Sequence, residues 1–256
     1  MGKLLSYQLK SHFKQNWFLV AMPILLVLAN IFTETILSYS KAEIAAGFIM
    51  IGIIIVYAAA AITVIVSDYN RFYGKEALFY NSLPVSAGGV TAARFFNYLI
   101  LWIIHSLILF ANIVFFVMIN LYLGKGNVGA EINLLFKEIV KYLSNYTPSQ
   151  IMGAIILLVL FFTYSIGKVM FAISISGEKR FNRLDFGGAV LAYIIITAIT
   201  NSIALPIIDR ISTNYFDIEV LNATILNMPM VIIYSIISII FILGTYYEHK
   251  SRISVS

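Results

Sequence analysis

The chain has no cysteine among its 256 residues, and only 11% of them are charged. The absence of cysteine excludes disulfides, thiol nucleophiles and cysteine-ligated metal sites. Soluble domains carry about 25% charged and about 45–50% apolar residues, whereas 61% of this chain is hydrophobic. A soluble fold of this size has no place for so much apolar surface, so we expect lipid to be the solvent.

Motifs for nucleotide binding, hydrolysis and metal binding are also missing. Gly167-Lys168 is similar to the end of a phosphate-binding loop, but Val169 replaces the required Ser or Thr and Phe162 replaces the first Gly. The three histidines lie in separate segments without metal-ligand spacing, and no nucleophile elbow or zinc-binding helix occurs. We therefore predict that the chain is not an enzyme and binds no cofactor or metal.

Six apolar runs are each long enough to cross a bilayer, which takes about 20 residues as a helix. They cover approximately residues 17–36, 45–67, 95–123, 150–176, 187–208 and 227–246. Unpaired amides are costly in hydrocarbon, so the backbone of each run must be helical. The sequence predicts an all-α integral membrane protein, with six transmembrane helices in a single domain of residues 1–256.

Residues 1–16 have the pattern of an amphipathic helix at the membrane interface. Leu5, Leu9 and Phe13 recur at every fourth residue and share one face. The alternative is that this segment is only a charged flank of the first span. Well round the helix from the apolar face lie three lysines, Lys3, Lys10 and Lys14.

The basic residues follow the positive-inside rule if the N-terminus is cytoplasmic. Eleven Lys and Arg residues then lie in the inner segments and five in the outer ones, so both termini are expected in the cytoplasm. The net charge of +5 comes from short clusters between apolar runs, which argues against nucleic-acid binding. The basic cluster of the second inner loop consists of Lys179, Arg180 and Arg183.

Two ionisable side chains within the predicted spans, His105 and Lys168, are candidates for lining a cavity. Lys168 lies roughly two turns from the inner end of the fourth span, so its stem could extend to the headgroups instead. His105 could hydrogen-bond a neighbouring helix rather than relay protons. The spans hold no chain of several carboxylates, which argues against a proton-coupled carrier. On the outer side, residues 209–226 are either a re-entrant hairpin or a plain loop.

The inner loop of residues 68–94 is more patterned than a plain connector. Its residues 75–80 can form a short helix, which ends at Leu83-Pro84 because the residue before proline is pushed out of the helical region. Ser86 is then a candidate N-cap for a helix that enters the third span. The short helix either docks a soluble partner or rests on headgroups. The candidate docking residues are Lys75, Glu76, Leu78, Phe79, Tyr80, Leu83 and Pro84.

This loop resembles that of type-two ATP-binding-cassette (ABC) permeases. Members typically carry leucine, proline and a small residue, followed by a helix with a basic residue that enters the third span. The chain departs from the pattern at Ala87-Gly88-Gly89, where charged residues are more usual. The resemblance extends to the span count, the length and the N-terminal elbow helix. The matching residues of the loop are Glu76, Leu83, Pro84, Val85, Ser86 and Arg94.

The resemblance implies a type-two ABC exporter fold, in which a pair of permeases, identical or paralogous, carries separate ATPase subunits on the inner loops. ATP and magnesium would bind the ATPase and not this chain. Small permeases of this kind include the lantibiotic immunity and phenol-soluble modulin exporters, which implies an amphipathic peptide substrate and a bacterial cytoplasmic membrane. The alternatives are a stand-alone ion- or proton-coupled carrier and a membrane sensor or assembly subunit that transports nothing.

Overall fold

A computed structural model describes residues 1–37, 39–123, 144–177, 184–211, 217–220 and 223–253, with short pieces at 133–134, 137–138 and 140–141. Its helices are α1 (Gly2–Gln15), α2 (Phe18–Ile36), α3 (Tyr39–Phe72), α4 (Ala77–Asn81), α5 (Ala87–Leu123), α6 (Pro148–Ser176), α7 (Asp185–Ile211) and α8 (Met228–Ile253). Two strands, β1 (Asp217–Val220) and β2 (Ala223–Asn227), lie between α7 and α8.

Six of these helices, α2, α3, α5, α6, α7 and α8, are long and apolar enough to cross a membrane. The shortest, α2, has 19 residues and the longest, α5, has 37. A helix rises about 1.5 Å per residue, so each one covers or nearly covers the hydrocarbon core, which is about 30 Å thick. The predicted set of six spanning helices is confirmed. The N-terminal segment is also helical, as its pattern predicts.

Polar and apolar side chains are distributed as expected for helices in lipid. Large apolar side chains such as Phe48 and Phe110 are exposed on the helix surfaces, whereas polar side chains such as Asn30 and Arg94 are fully buried. Lipid offers no hydrogen bonds, so polar groups turn inward to find partners and apolar groups face outward.

The helices α3 and α5 extend beyond the apolar runs from which their spans were predicted. They are joined by residues 73–86, whereas the sequence predicts an inner loop of residues 68–94 whose last part, after Ser86, is already a helix that enters the third span. The apolar runs stop near Asp68 and Arg94 because both are charged. These two side chains bond to each other, so the helices continue through them.

The chain divides into two compact units, of which the first consists of Met1–Leu5, Val66–Leu99 and Tyr146–Ser256. In this unit α6 begins with a capping box, because the Thr147 amide donates to Gln150 Oε1 at 2.7 Å and the Gln150 amide donates to Thr147 Oγ1 at 3.4 Å. The helices α6 and α8 pack tightly. A Cβ added at Gly244 would overlap the Phe171 ring, and Phe171 and Phe241 stack with their centroids 5.3 Å apart.

The first unit also contains a β-hairpin at residues 209–226, the segment predicted to be either a re-entrant hairpin or a plain loop. The helix α7 continues to Ile211, and β1 then pairs with β2 in antiparallel register, with Ile218 opposite Leu226 and a register shift after Ile218. The strands are rich in β-branched residues, which favour extended backbone. Of the two predictions, the hairpin agrees with this strand pairing, and its re-entry into the membrane stays a prediction.

The second unit consists of Ser6–Ile65 and Ile100–Asn145. Its core is formed by Val27, Ile53 and Phe116. Polar contacts join its helices. For example, Asn30 Nδ2 donates to Asn120 Oδ1 at 2.9 Å, and the hydroxyls of Tyr57 and Ser106 are 3.0 Å apart. Such hydrogen bonds hold helices together in lipid, where the hydrophobic effect between them is absent.

Candidate functional site

The short helix α4 lies between α3 and α5, outside the candidate spans. Its three central side chains have very different environments. Leu78 is 90% exposed and Phe79 is 51% exposed, whereas the next residue, Tyr80, is only 3% exposed. The helix therefore has one buried face and one face on which two apolar side chains, Leu78 and Phe79, are exposed.

Tyr80 anchors α4 to the adjacent ends of α3 and α5 within the first unit. Its ring packs against the Phe72 ring, with centroids 5.3 Å apart. Both rings belong to one buried cluster with Leu4, Val90 and Ala93. This contact closes the connection between α3 and α5 against the ends of both helices, so α4 is a positioned element rather than a free loop.

The other predicted docking residues divide between the two faces. Leu83 is partly buried and packs against the same cluster as Tyr80, whereas Lys75, Glu76 and Pro84 are exposed. Ser86 caps α5, as predicted, because its Oγ accepts a hydrogen bond from the Gly89 amide at 3.2 Å. Leu78 and Phe79 are thus the apolar side chains of α4 that are available to a partner.

Directly beneath this loop, Arg94 and Asp68 form a buried ion pair whose side chains are 0% and 2% exposed. Arg94 Nε donates to both carboxylate oxygens, at 3.0 and 3.2 Å, and Nη2 donates to Oδ2 at 2.5 Å. The Tyr98 hydroxyl donates to the same Oδ2 at 3.1 Å. This is the planar, forked arrangement that makes arginine–carboxylate pairs strong and specific.

The remaining nitrogen of Arg94 reaches two further helices. Nη1 lies 2.7 Å from His249 Nε2 on α8 and donates to Ser174 Oγ on α6 at 3.3 Å. Arginine has only donors, so His249 Nε2 must be the acceptor. The guanidinium also lies 4.9 Å from the Phe72 ring centroid, which connects it to the cluster that holds Tyr80. Arg94 thus joins α3, α5, α6 and α8.

Sequence reasoning missed this network. In the sequence, Arg94 is a topology signal and a match to the family pattern, Asp68 begins the predicted inner loop, and nothing distinguishes His249. The only available signal was that Asp68 and Arg94 border apolar runs. That position does not identify a partner, because the partner is chosen by helix packing.

Lys168 on α6 has a different environment. It is 7% exposed, and its Nζ lies 4.8 Å from the Tyr164 ring centroid and 4.6 Å from the Tyr193 ring centroid on α7. Within the described part of the chain it forms no ion pair or hydrogen bond. A lysine at the centre of a span costs about 2.5–3.5 kcal/mol on insertion scales, and each cation–π contact returns about 0.5–2 kcal/mol. The rings therefore offset much of the cost but supply no hydrogen-bond acceptor.

His105 on α5 pairs with His12 on the amphipathic helix α1, with 3.2 Å between the two Nε2 atoms. Both side chains are buried, and Asn16 lies 3.5 Å from the other ring nitrogen of His12. His105 therefore bonds a neighbouring helix, which was one of the two roles considered for it. It also borders a small apolar cavity lined by Leu19, Pro23, Ile53, Val56, Tyr57, Ala60, Ile108 and Leu109.

The predicted site residues belong to different parts of the chain. His105 belongs to the second unit and Lys168 to the first, and Lys179, Arg180 and Arg183 of the second inner loop lie outside the described residues. Among the residues that the structure describes, no three His, Asp or Glu side chains form a metal-binding group.

Six apolar helices of spanning length, with charged side chains turned inward, define a multi-pass α-helical integral membrane protein. Comparison with protein-family models, curated proteins and solved structures found no match. The function must therefore be argued from the loop and the buried charges themselves.

Proposed function

We propose that the chain is the membrane-spanning permease subunit of an ATP-driven ABC exporter in a bacterial cytoplasmic membrane, and that α4 docks a separate ATPase subunit. The observation that carries this proposal is the exposure of Leu78 and Phe79 on a helix whose opposite face is anchored by Tyr80. An aliphatic and an aromatic side chain on a positioned helix suit a pocket of a soluble partner. The resemblance of residues 76–94 to the permease loop names that partner as an ABC ATPase.

The contacts of α4 also provide a route for coupling within the first unit. Tyr80 packs on Phe72, and the Phe72 ring contacts the guanidinium of Arg94. Arg94 in turn bonds Ser174 on α6 and His249 on α8. A displacement of α4 by the ATPase would be passed through these packed groups to the spanning helices. Paired permeases would then change from inward- to outward-open, moving an amphipathic peptide outward.

Docking is tested by the double variant Leu78→Glu/Phe79→Glu, with Ser82→Glu as the matched control. Leu78, Phe79 and Ser82 are all exposed on the same loop, so the extra charges should not disturb folding. We expect the wild type and the control to co-purify an ATPase with Walker motifs from native membranes, and the double variant to lose it at normal membrane yield. If the double variant retains the ATPase and full substrate-stimulated hydrolysis, α4 is not the docking element.

The side of the membrane is tested by labelling. The chain has no cysteine, so Leu78→Cys introduces a single thiol at a 90% exposed position. A membrane-impermeant maleimide should label this thiol only after the cells are opened. Labelling of intact cells would place α4 outside, away from any ATPase, and would exclude the proposed function.

The two rival functions predict different transport results. A stand-alone carrier would move substrate in vesicles that contain only this chain, at a rate that follows an ion gradient. A sensor or assembly subunit would bind a partner without any ATP-dependent flux. We expect flux only when ATP and the ATPase are both present, and gradient-driven flux through the chain alone would favour the carrier.

A further inference from the structure

Lys168 is the feature of the first unit that neither the fold nor the docking of an ATPase explains. It is more than nine-tenths buried, and its ammonium group lies between the rings of Tyr164 and Tyr193. An ammonium carries three hydrogen-bond donors. No described carboxylate or other acceptor bonds to them, so within the described residues all three can serve a ligand.

Simple extension of the lysine stem to the headgroups does not account for this geometry. Lys168 lies eight residues before the end of α6 at Ser176, a distance of about 12 Å along the axis. The ring that it contacts on its own helix, Tyr164, is one turn further from that end. Helical side chains lean toward the N-terminus, so the ammonium is held in the seam between α6 and α7 instead of reaching past Ser176.

The exposed surface of α6 and α7 beside this seam is apolar and suits the acyl chains of a lipid. Tyr193, which forms one wall around the ammonium, is itself 37% exposed. Val190 and Ile194, close to Tyr193 along α7, and Phe161, one turn from Tyr164 on α6, are all exposed and apolar. One cation with unfilled donors therefore lies beside a lipid-exposed apolar surface.

We propose that Lys168, Tyr164 and Tyr193 form a binding site for the phosphate headgroup of an anionic phospholipid at the seam between α6 and α7. The phosphate oxygens accept hydrogen bonds from Lys168 Nζ, the two rings shield the resulting ion pair, and the acyl chains lie along the exposed apolar side chains. Basic groups between spanning helices bind anionic headgroups for this electrostatic reason. The proposal requires no ATPase and stands apart from the export function.

The test is lipid binding by the purified full chain in a non-ionic detergent. Phosphatidylglycerol and phosphatidylcholine with identical acyl chains are titrated, and bound lipid is counted by native mass spectrometry. We expect the wild type to prefer phosphatidylglycerol by about tenfold, and Lys168→Gln to lose that preference. Lys41→Gln removes the same charge from an exposed position and should keep it, as should Lys168→Arg, which retains the charge.

Three results would overturn the proposal. The first is a wild-type chain that does not distinguish the two lipids, a result that needs no variant to fold. The second is an unchanged preference in Lys168→Gln. The third is displacement of phosphatidylglycerol by millimolar inorganic phosphate in the wild type but not in Lys168→Gln, which would show that the site takes free phosphate rather than a lipid.

Discussion

Arg94 and Lys168 are both basic side chains buried in the first unit, but their partners differ. Arg94 donates hydrogen bonds to the Asp68 carboxylate, the hydroxyls of Tyr73 and Ser174, and the His249 imidazole. Each of its three nitrogens therefore has a partner. Lys168 is bordered by two aromatic rings and bonds to none of the described acceptors. A buried charge in this protein therefore has one of two environments: a partner that joins helices, as for Arg94, or aromatic rings without a bonded acceptor among the described residues, as for Lys168.

The largest effect is expected from Asp68→Asn. This change leaves the Arg94 guanidinium buried without a countercharge, and breaking a buried pair by removing one partner costs about 3–5 kcal/mol. We expect a loss of this size in the free energy of unfolding, measured by denaturant titration of the purified protein in detergent micelles.

The double variant Asp68→Asn/Arg94→Met is the control for this interpretation. It removes both charges, so its cost should be smaller than the sum of the two single variants, because residues in one network do not act additively. Additive costs would mean that the pair contributes no coupling and that the comparison with Lys168 has no energetic basis.

Arg94→Lys is expected to cost about 2 kcal/mol, less than the loss of the carboxylate. A lysine keeps the charge but lacks the planar fork that contacts Asp68, Ser174 and His249 together, so one or two charged hydrogen bonds are lost. The same unfolding measurement applies. If Arg94→Lys has wild-type stability, only the charge of Arg94 matters. The same dependence on charge alone is expected at Lys168, where Lys168→Arg should keep lipid binding.

Gly177→Ala tests the packing around the Arg94 network. A Cβ at Gly177 would overlap the ring of Tyr73, whose hydroxyl donates to Ser174 at 2.9 Å. We expect a cost of about 1–3 kcal/mol from overpacking. Gly187→Ala is the matched control, since nothing lies within 4 Å of its added Cβ, and it should be neutral or slightly stabilising. Equal effects of the two changes would contradict the packing argument.

Lys168→Met should have the smallest effect on stability, within about 1 kcal/mol of the wild type in lipid-free detergent. The substitution removes a cation that has no bonded partner in the described part of the chain, and its burial cost and cation–π gain nearly cancel. Thermal unfolding of the delipidated protein measures this. A loss as large as that of Asp68→Asn would show that Lys168 is part of the structural framework and would remove the distinction between the two sites.

Part of the fold was predictable because its causes are local. Span number follows from the length and apolarity of continuous runs, and the N-cap at Ser86 follows from the residue type and the break at Leu83-Pro84. The C-terminal end of α3 was not predictable in the same way. Asp68 ends an apolar run in the sequence, but α3 continues past it to Phe72, and the Asp68 carboxylate bonds to Arg94 on α5.

The sequence predicted which segment forms the candidate site, but not which of its side chains are buried and which are exposed. The sequence placed a short helix in the loop and named Leu78, Phe79, Tyr80 and Leu83 together. Packing then separates them, because Tyr80 and Leu83 turn toward the Phe72 cluster while Leu78 and Phe79 remain exposed. Five residues of helix carry too short a pattern for periodicity to assign these faces.

The sequence by itself determined that this chain resides in a membrane as six helices, because hydrophobicity and length act along continuous stretches of chain. Only the tertiary structure decided which charges are paired. The partners of Arg94 lie 26 residues away at Asp68 and 155 residues away at His249, and the second ring beside Lys168 belongs to another helix. Such contacts form only when the helices pack against each other. The sequence around a residue does not indicate which distant residue will become its neighbour.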